Sequence, residues 1–188
     1  MISEIKEMFS CEVPTAPFIG ELYMYPIFGW LEDCSNILPN ECRVFAPLIN
    51  EMLSHIVTPI SYLTIDRKIL KPGQTHRRGG IHIDGVYSKL GWDPSPGWNI
   101  DSSSIGMMIA SNEIGCKAWE GEYVGTPGKG GDCSHMIEEL NNMNSFLLDS
   151  NKVFLINSNG IHESICQEKE TDRTVVRLSF PAQARLIA

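Results

Sequence analysis

The sequence has little histidine, only five in 188 residues, and little basic charge. Lys and Arg total 15 against 23 Asp and Glu, a formal net charge of −8. A chain that held nucleic acid by its phosphates would carry the opposite balance, so nucleic acid is not expected as its main partner. The pair Arg77-Arg78 is the one local basic signal. No apolar run approaches the ~18 residues needed to span a bilayer, and no membrane insertion is expected. The N-terminus, MISEIKEMFS, lacks a basic stretch followed by an apolar one and reads as having no secretory signal. The cysteines, at 11, 34, 42, 116, 133 and 166, form no C-x-x-C pair, which excludes a zinc knuckle or thioredoxin-type motif. Free, mostly buried thiols and a cytoplasmic location are the expectation. The stretch Gly125-Thr126-Pro127-Gly128-Lys129-Gly130-Gly131 lacks the spacing of a phosphate-binding loop. Internal repeats and low-complexity tracts are absent.

What is present is an ordinary globular balance, 43% apolar and 20% charged, in a length suited to a single domain over 1–188. Residues 1–59 read as a helical and irregular flank. Ile2, Ile5 and Phe9 keep helical spacing, and Pro14, Pro17, Pro26 and Pro39 favour turn-rich chain. Leu48, Ile49, Met52, Leu53, Ile56 and Val57 form one apolar helical stripe, entered at Pro47 and ended at Thr58-Pro59. From residue 60 short strands take over, predicted at 62–70, 81–84, 104–110, 116–123, 153–157, 161–167 and 173–180. A turn is expected at Lys71-Pro72-Gly73, and a second helix over 134–147 with Ser134 as its N-cap. Met107, Met108, Met136 and Met143 suit gap-filling core positions. Many short strands with flanking helices imply a mainly β, α+β chain built as a sandwich or barrel, with its core over 60–182.

Two segments carry chemistry. In Gly79-Gly80-Ile81-His82-Ile83-Asp84-Gly85, a strand would point His82 and Asp84 to the same face. The second is the turn Gly160-Ile161-His162-Glu163-Ser164. If His162 faces the same interior, two histidines and one carboxylate occupy one side of a metal, leaving positions open for a co-substrate and O₂. Downstream, Arg173, Val175, Arg177 and Ser179 share one strand face. Arginine forks and a nearby hydroxyl suit a bound carboxylate, and arginines pointing inward are costly unless an anion meets them. For one of the two, the alternative is a surface ion pair with Glu168, Glu170 or Asp172. An H-x-D alone is a weak signal. The order H-x-D, a histidine 80 residues after the first, then arginines 11 and 15 residues further on, is far more constraining. Among the other histidines, His76 reads as a loop residue, His55 as structural and His135 as exposed.

This pattern resembles the iron(II)- and 2-oxoglutarate-dependent dioxygenases over residues 60–182. The stretch from Asp149 to Ser164 is similar to that family's strand–turn–histidine segment, and Arg177-Leu178-Ser179 to an R-x-S element of some branches. The resemblance implies a double-stranded β-helix, or jelly roll. It implies His82, Asp84 and His162 as iron ligands, and Arg173 or Arg177, with Ser179 supporting the latter, for the far carboxylate of 2-oxoglutarate. It implies an oxygenase that hydroxylates a C–H bond of a small molecule or of a side chain, with succinate as the co-product; the net charge and a second arginine lean toward an anionic small molecule. The 85–104 segment, with Tyr87, Trp92, Pro94, Pro96 and Trp98, reads either as a substrate-specificity lid or as packing for the barrel end. Two other functions compete. A cupin-type metal-binding jelly roll would not use 2-oxoglutarate, and its sites usually draw on more histidines. A non-catalytic jelly-roll module would bind no metal. Oligomeric state leaves no readable trace.

Overall fold

The computed structural model describes residues 1–29, 33–85 and 105–187. In chain order the elements are β1 (Ile2–Ser3), β2 (Ile5–Ser10), β3 (Gly20–Phe28), α1 (Ala46–Ser54), β4 (Ile56–Val57) and β5 (Ile60–Leu70). There follow β6 (Ile105–Ser111), β7 (Cys116–Glu122), α2 (Ile137–Leu140), β8 (Asn144–Leu147), β9 (Lys152–Asn157), β10 (Ile161–Ser164), β11 (Thr171–Ser179) and β12 (Arg185–Leu186). The chain is mainly antiparallel β. One sheet has the order β2-β9-β6-β11-β5-β3, and a smaller one is centred on β7, with β1, β8 and β10 paired to it. Strands β12 and β4 pair separately. Among the described residues the sheets do not close into a barrel. No helix is long and apolar enough to cross a membrane among those residues.

Alternation decides what each face of the large sheet meets. Along β5, Leu63 and Ile65 are fully buried on one side, together with Val176 and Leu178 of β11 and Met108 and Ala110 of β6. They pack against Ile49, Met52 and Phe45 in the main core. Helix α1 supplies that cover because Pro47 fits its first turn, where the missing N–H costs nothing. The opposite face of the large sheet turns toward the smaller sheet. There Ile5, Met107, Phe154 and Ile156 meet Cys116 and Ala118 of β7. The outer face of the smaller sheet is covered in turn, as Trp119 and Ile161 pack on Met136 and Leu140.

Several elements depart from the sequence expectations. The first 59 residues are not only a helical and irregular flank: α1 lies there as expected, but β2 and β3 are the two edge strands of the large sheet. Helical spacing over 2–9 is misleading because a register shift between Glu7 and Phe9 breaks the period of two. As a result Met8 and Phe9 both lean on the core. The helix expected over 134–147 shrinks to a 3-10 turn at Ser134–Met136 and the four residues of α2. The rest pairs with β7 as β8, and tertiary pairing overrides local propensity there. Ser134 does not cap the helix; its hydroxyl donates to Asp132 Oδ1 at 2.7 Å. The strand expected at 81–84 is reduced to an isolated bridge at His82. The expected lid lies, from residue 86 onward, outside the described residues.

Candidate metal centre

His82 and His162 form one rung of a ladder. Each donates its backbone N–H to the other's carbonyl at 2.9 Å. On the far side of β10, His162 faces Ala118 of β7, so the rung extends the smaller sheet. The rung brings the two rings together, with centroids 4.5 Å apart and planes inclined by 56°. The local sequence explains their orientation. Both histidines end a Gly-Ile-His tripeptide, at 80–82 and 160–162. In each the isoleucine is buried in the core beneath. In each Nδ1 donates to the glycine carbonyl two residues back, at 2.8 Å for Gly80 and 3.0 Å for Gly160. A proton fixed on Nδ1 leaves the Nε2 lone pair free, the arrangement that orients histidine ligands in metal sites. Gly80 sits at φ +94°, a conformation open to glycine at little cost.

Asp84 completes the group. Its carboxylate lies 3.7 Å from His82 Nε2 and 3.8 Å from His162 Nε2. One ligand atom from each of the three residues falls within 4.8 Å of the others. Burial and the neighbouring His162 ring push His82 down to about 4, so its imidazole is neutral at pH 7 and able to ligate. Burial alone would raise the Asp84 carboxyl. The surrounding His162, Arg177, His82 and Arg77 outweigh it and hold the group below its ordinary value, ionised. Two imidazoles and a carboxylate facing one another suit a divalent transition metal.

The group opens on a cavity of about 270 Å³ between the two sheets. Arg173, Val175 and Arg177 line it from β11, as their shared face requires, with Thr64 and Asp66 from β5. The arginines have different surroundings. Arg177 stands at the His82–Asp84–His162 end, its Nη1 donating to Asp84 Oδ2 at 3.1 Å. Arg173 is buried, its Nε donating to the Glu113 carbonyl at 3.1 Å. No described carboxylate lies within 4.0 Å of it. Burial lowers its guanidinium to about 10. The surface alternative is thus absent: Asp172 pairs instead with Arg67, at 2.6 Å. Ser179 is buried on the same strand but is not part of the cavity wall.

Sequence reasoning missed four contributors. Thr64 and Asp66 lie opposite Arg177 and Val175 in the strand register, so they share the cavity face. The signal was the run Thr64, Asp66, Lys68 alternating with apolar Leu63, Ile65 and, past Arg67, Ile69. Arg77 and Arg78, read only as a basic pair, also line the cavity. His76 does sit outside helix and strand, as expected, yet it is buried, with Nε2 3.0 Å from Asp66 Oδ2. All six cysteines are free, and only Cys166 is exposed. No protein-family model matches the sequence, and neither a curated protein nor a solved structure matches the chain.

Proposed function

We propose that the protein is an iron(II)- and 2-oxoglutarate-dependent oxygenase that hydroxylates a small, acidic molecule. The observation that carries the reading is the convergence of His82, Asp84 and His162 within 4.8 Å at one end of a cavity whose other lining includes buried Arg173, which has no described carboxylate within 4.0 Å. Three ligands on one side suit iron(II) with positions left for co-substrate and O₂. The finer architecture we infer is the double-stranded β-helix. Two antiparallel sheets packed face to face around the cavity support it.

His82 and His162 would hold the iron through Nε2, steered by their Nδ1–H bonds to Gly80 and Gly160. Asp84 would be the third ligand, and Arg177 offsets its charge and fixes its rotamer. With Arg177 committed to Asp84, the far carboxylate of 2-oxoglutarate falls to Arg173, whose guanidinium is desolvated and meets no carboxylate among the described residues. Met107, Ile109 and Val175 form an apolar stretch of wall that keeps water from the reacting groups. Iron with 2-oxoglutarate and O₂ supplies the oxidising power that puts oxygen into a C–H bond while the oxo acid becomes succinate and CO₂. The lining as a whole has four arginines against two aspartates, which favours an anionic primary substrate.

The test is anaerobic thermal unfolding of the metal-stripped protein with Mn(II), with and without 2-oxoglutarate. A ligand specific to the folded state stabilises by RT ln(1 + [L]/Kd), about 2.7 kcal/mol at a hundredfold excess over Kd. Stabilisation by 2-oxoglutarate only in the presence of metal, lost in His82→Ala, is the expected result. Metal binding without any response to 2-oxoglutarate would favour the cupin-type reading. Binding of neither would leave a non-catalytic module.

A further inference from the structure

The cavity wall carries a second charged cluster that the metal site does not use. In the β5–β11 register Lys68 lies opposite Arg173 and Asp66 opposite Val175. Asp66 is therefore a diagonal neighbour of Arg173 on the same face. Diagonal neighbours are roughly 7–8 Å apart, within reach of an arginine side chain. A buried carboxylate and a buried guanidinium at that range gain much from pairing. Yet Asp66 is buried and Arg173 has no described carboxylate within 4.0 Å.

The geometry accounts for the separation. Three cationic or N–H-bearing groups converge on Asp66 Oδ2: His76 Nε2 at 3.0 Å, Lys68 Nζ at 3.2 Å and Arg77 Nη1 at 3.6 Å. Lys68 is itself tied down, donating to the His76 carbonyl at 2.7 Å. The same Nη1 of Arg77 also pairs with Glu21, which anchors it. Arg173 is restrained from its own direction by the bond to the Glu113 carbonyl. It also packs over Gly115, where a Cβ would come within 2.6 Å of its guanidinium. His76 is the member of this cluster that is as deeply buried as Asp66.

We propose that His76 is a positioning residue. With Lys68 and Arg77 it holds Asp66 off Arg173, and so keeps that guanidinium open to the far carboxylate of the 2-oxo acid. The inference rests on the oxygenase reading for what Arg173 takes up. Without the restraint, Asp66 is an internal competitor for Arg173. Affinity for an external carboxylate then falls by the fraction of molecules in which the guanidinium remains open.

The experiment is calorimetric titration of 2-oxoglutarate into the Mn(II)-loaded protein under anaerobic conditions. His76→Leu should weaken 2-oxoglutarate about tenfold or more and leave Mn(II) affinity unchanged. His76→Gln, which keeps an N–H for Asp66, should retain most of the affinity. Asp66→Asn in the His76→Leu background should restore it, because the competing charge is gone. Asp66→Asn alone should bind at least as tightly as the parent, which keeps the idea testable if His76→Leu fails to fold. Unchanged affinity in His76→Leu, no recovery in the double variant, or weakened binding in Asp66→Asn would each overturn the positioning role while parent binding stands. A parent protein that binds Mn(II) but not 2-oxoglutarate would overturn the oxygenase reading itself, and this role with it.

Discussion

Replacing Arg173 by methionine should make the metal-free protein more stable and unable to take up 2-oxoglutarate. Burial brings the guanidinium to about 10. That is more than a hundredfold below an exposed arginine, or about 3 kcal/mol at about 1.4 kcal/mol per tenfold. A cation whose pKa falls on folding is unfavourable in the folded state at every pH below that lowered value. The cost is therefore complete at pH 7 and fades only as pH rises through about 10. Methionine fills similar space without charge, and apolar replacements of buried ions commonly stabilise. Losing the bond from Nε to the Glu113 carbonyl gives back about 1 kcal/mol. The net gain is about 2 kcal/mol, which for a chain of this length raises Tm by roughly 4–8 °C. The assay is thermal unfolding at pH 7 without metal, repeated with Mn(II) and 2-oxoglutarate. A variant less stable than the parent, or one that 2-oxoglutarate still stabilises, would refute the view of Arg173 as a strained, waiting anion site.

Other expectations follow from the same structure. Gly115→Ala would place a Cβ 2.6 Å from the Arg173 guanidinium, so it should weaken the response to 2-oxoglutarate in calorimetry and leave Mn(II) binding intact. Because His82 is pushed down to about 4, the unfolded chain takes up a proton there before the folded one does. The metal-free protein should lose stability as pH falls from about 6.5 toward 4, and His82→Gln should flatten that slope in urea titrations. Native-state alkylation at pH 8 should label exposed Cys166 and spare Cys116 and Cys133, whose thiols burial pushes up to about 12; mass spectrometry of the labelled peptides reads this. Met52→Ala removes a fully buried side chain between α1 and the large sheet and should cost about 2–5 kcal/mol in denaturant unfolding.

Much of the fold was legible because period-two patterns over 60–70 and 171–179 and the single stripe of α1 leave few alternatives. Where the pattern was short or interrupted, tertiary pairing decided. The bulge in β2 disguised a strand as a helix, and β8 was written in residues that also suit a helix. At the candidate site, His82, Asp84, His162 and the arginine face were visible as spacing. Their convergence was not, because it depends on a single rung between segments 80 residues apart. Asp66 was hidden for a different reason. A lone aspartate in a strand announces nothing until its partners, two of them on the loop after β5, are known. The repeated Gly-Ile-His tripeptide was the overlooked clue, since it writes the same ligand-orienting bond twice.

That shared rung has a kinetic consequence. The two histidine amides hold each other's backbone in place, and the Nδ1 bonds to Gly80 and Gly160 restrain the rings on it. An ion held there would leave through one local opening event rather than by shedding ligands in turn. Its residence time would track the breathing of a single pair of amide protons, those of His82 and His162, in hydrogen–deuterium exchange.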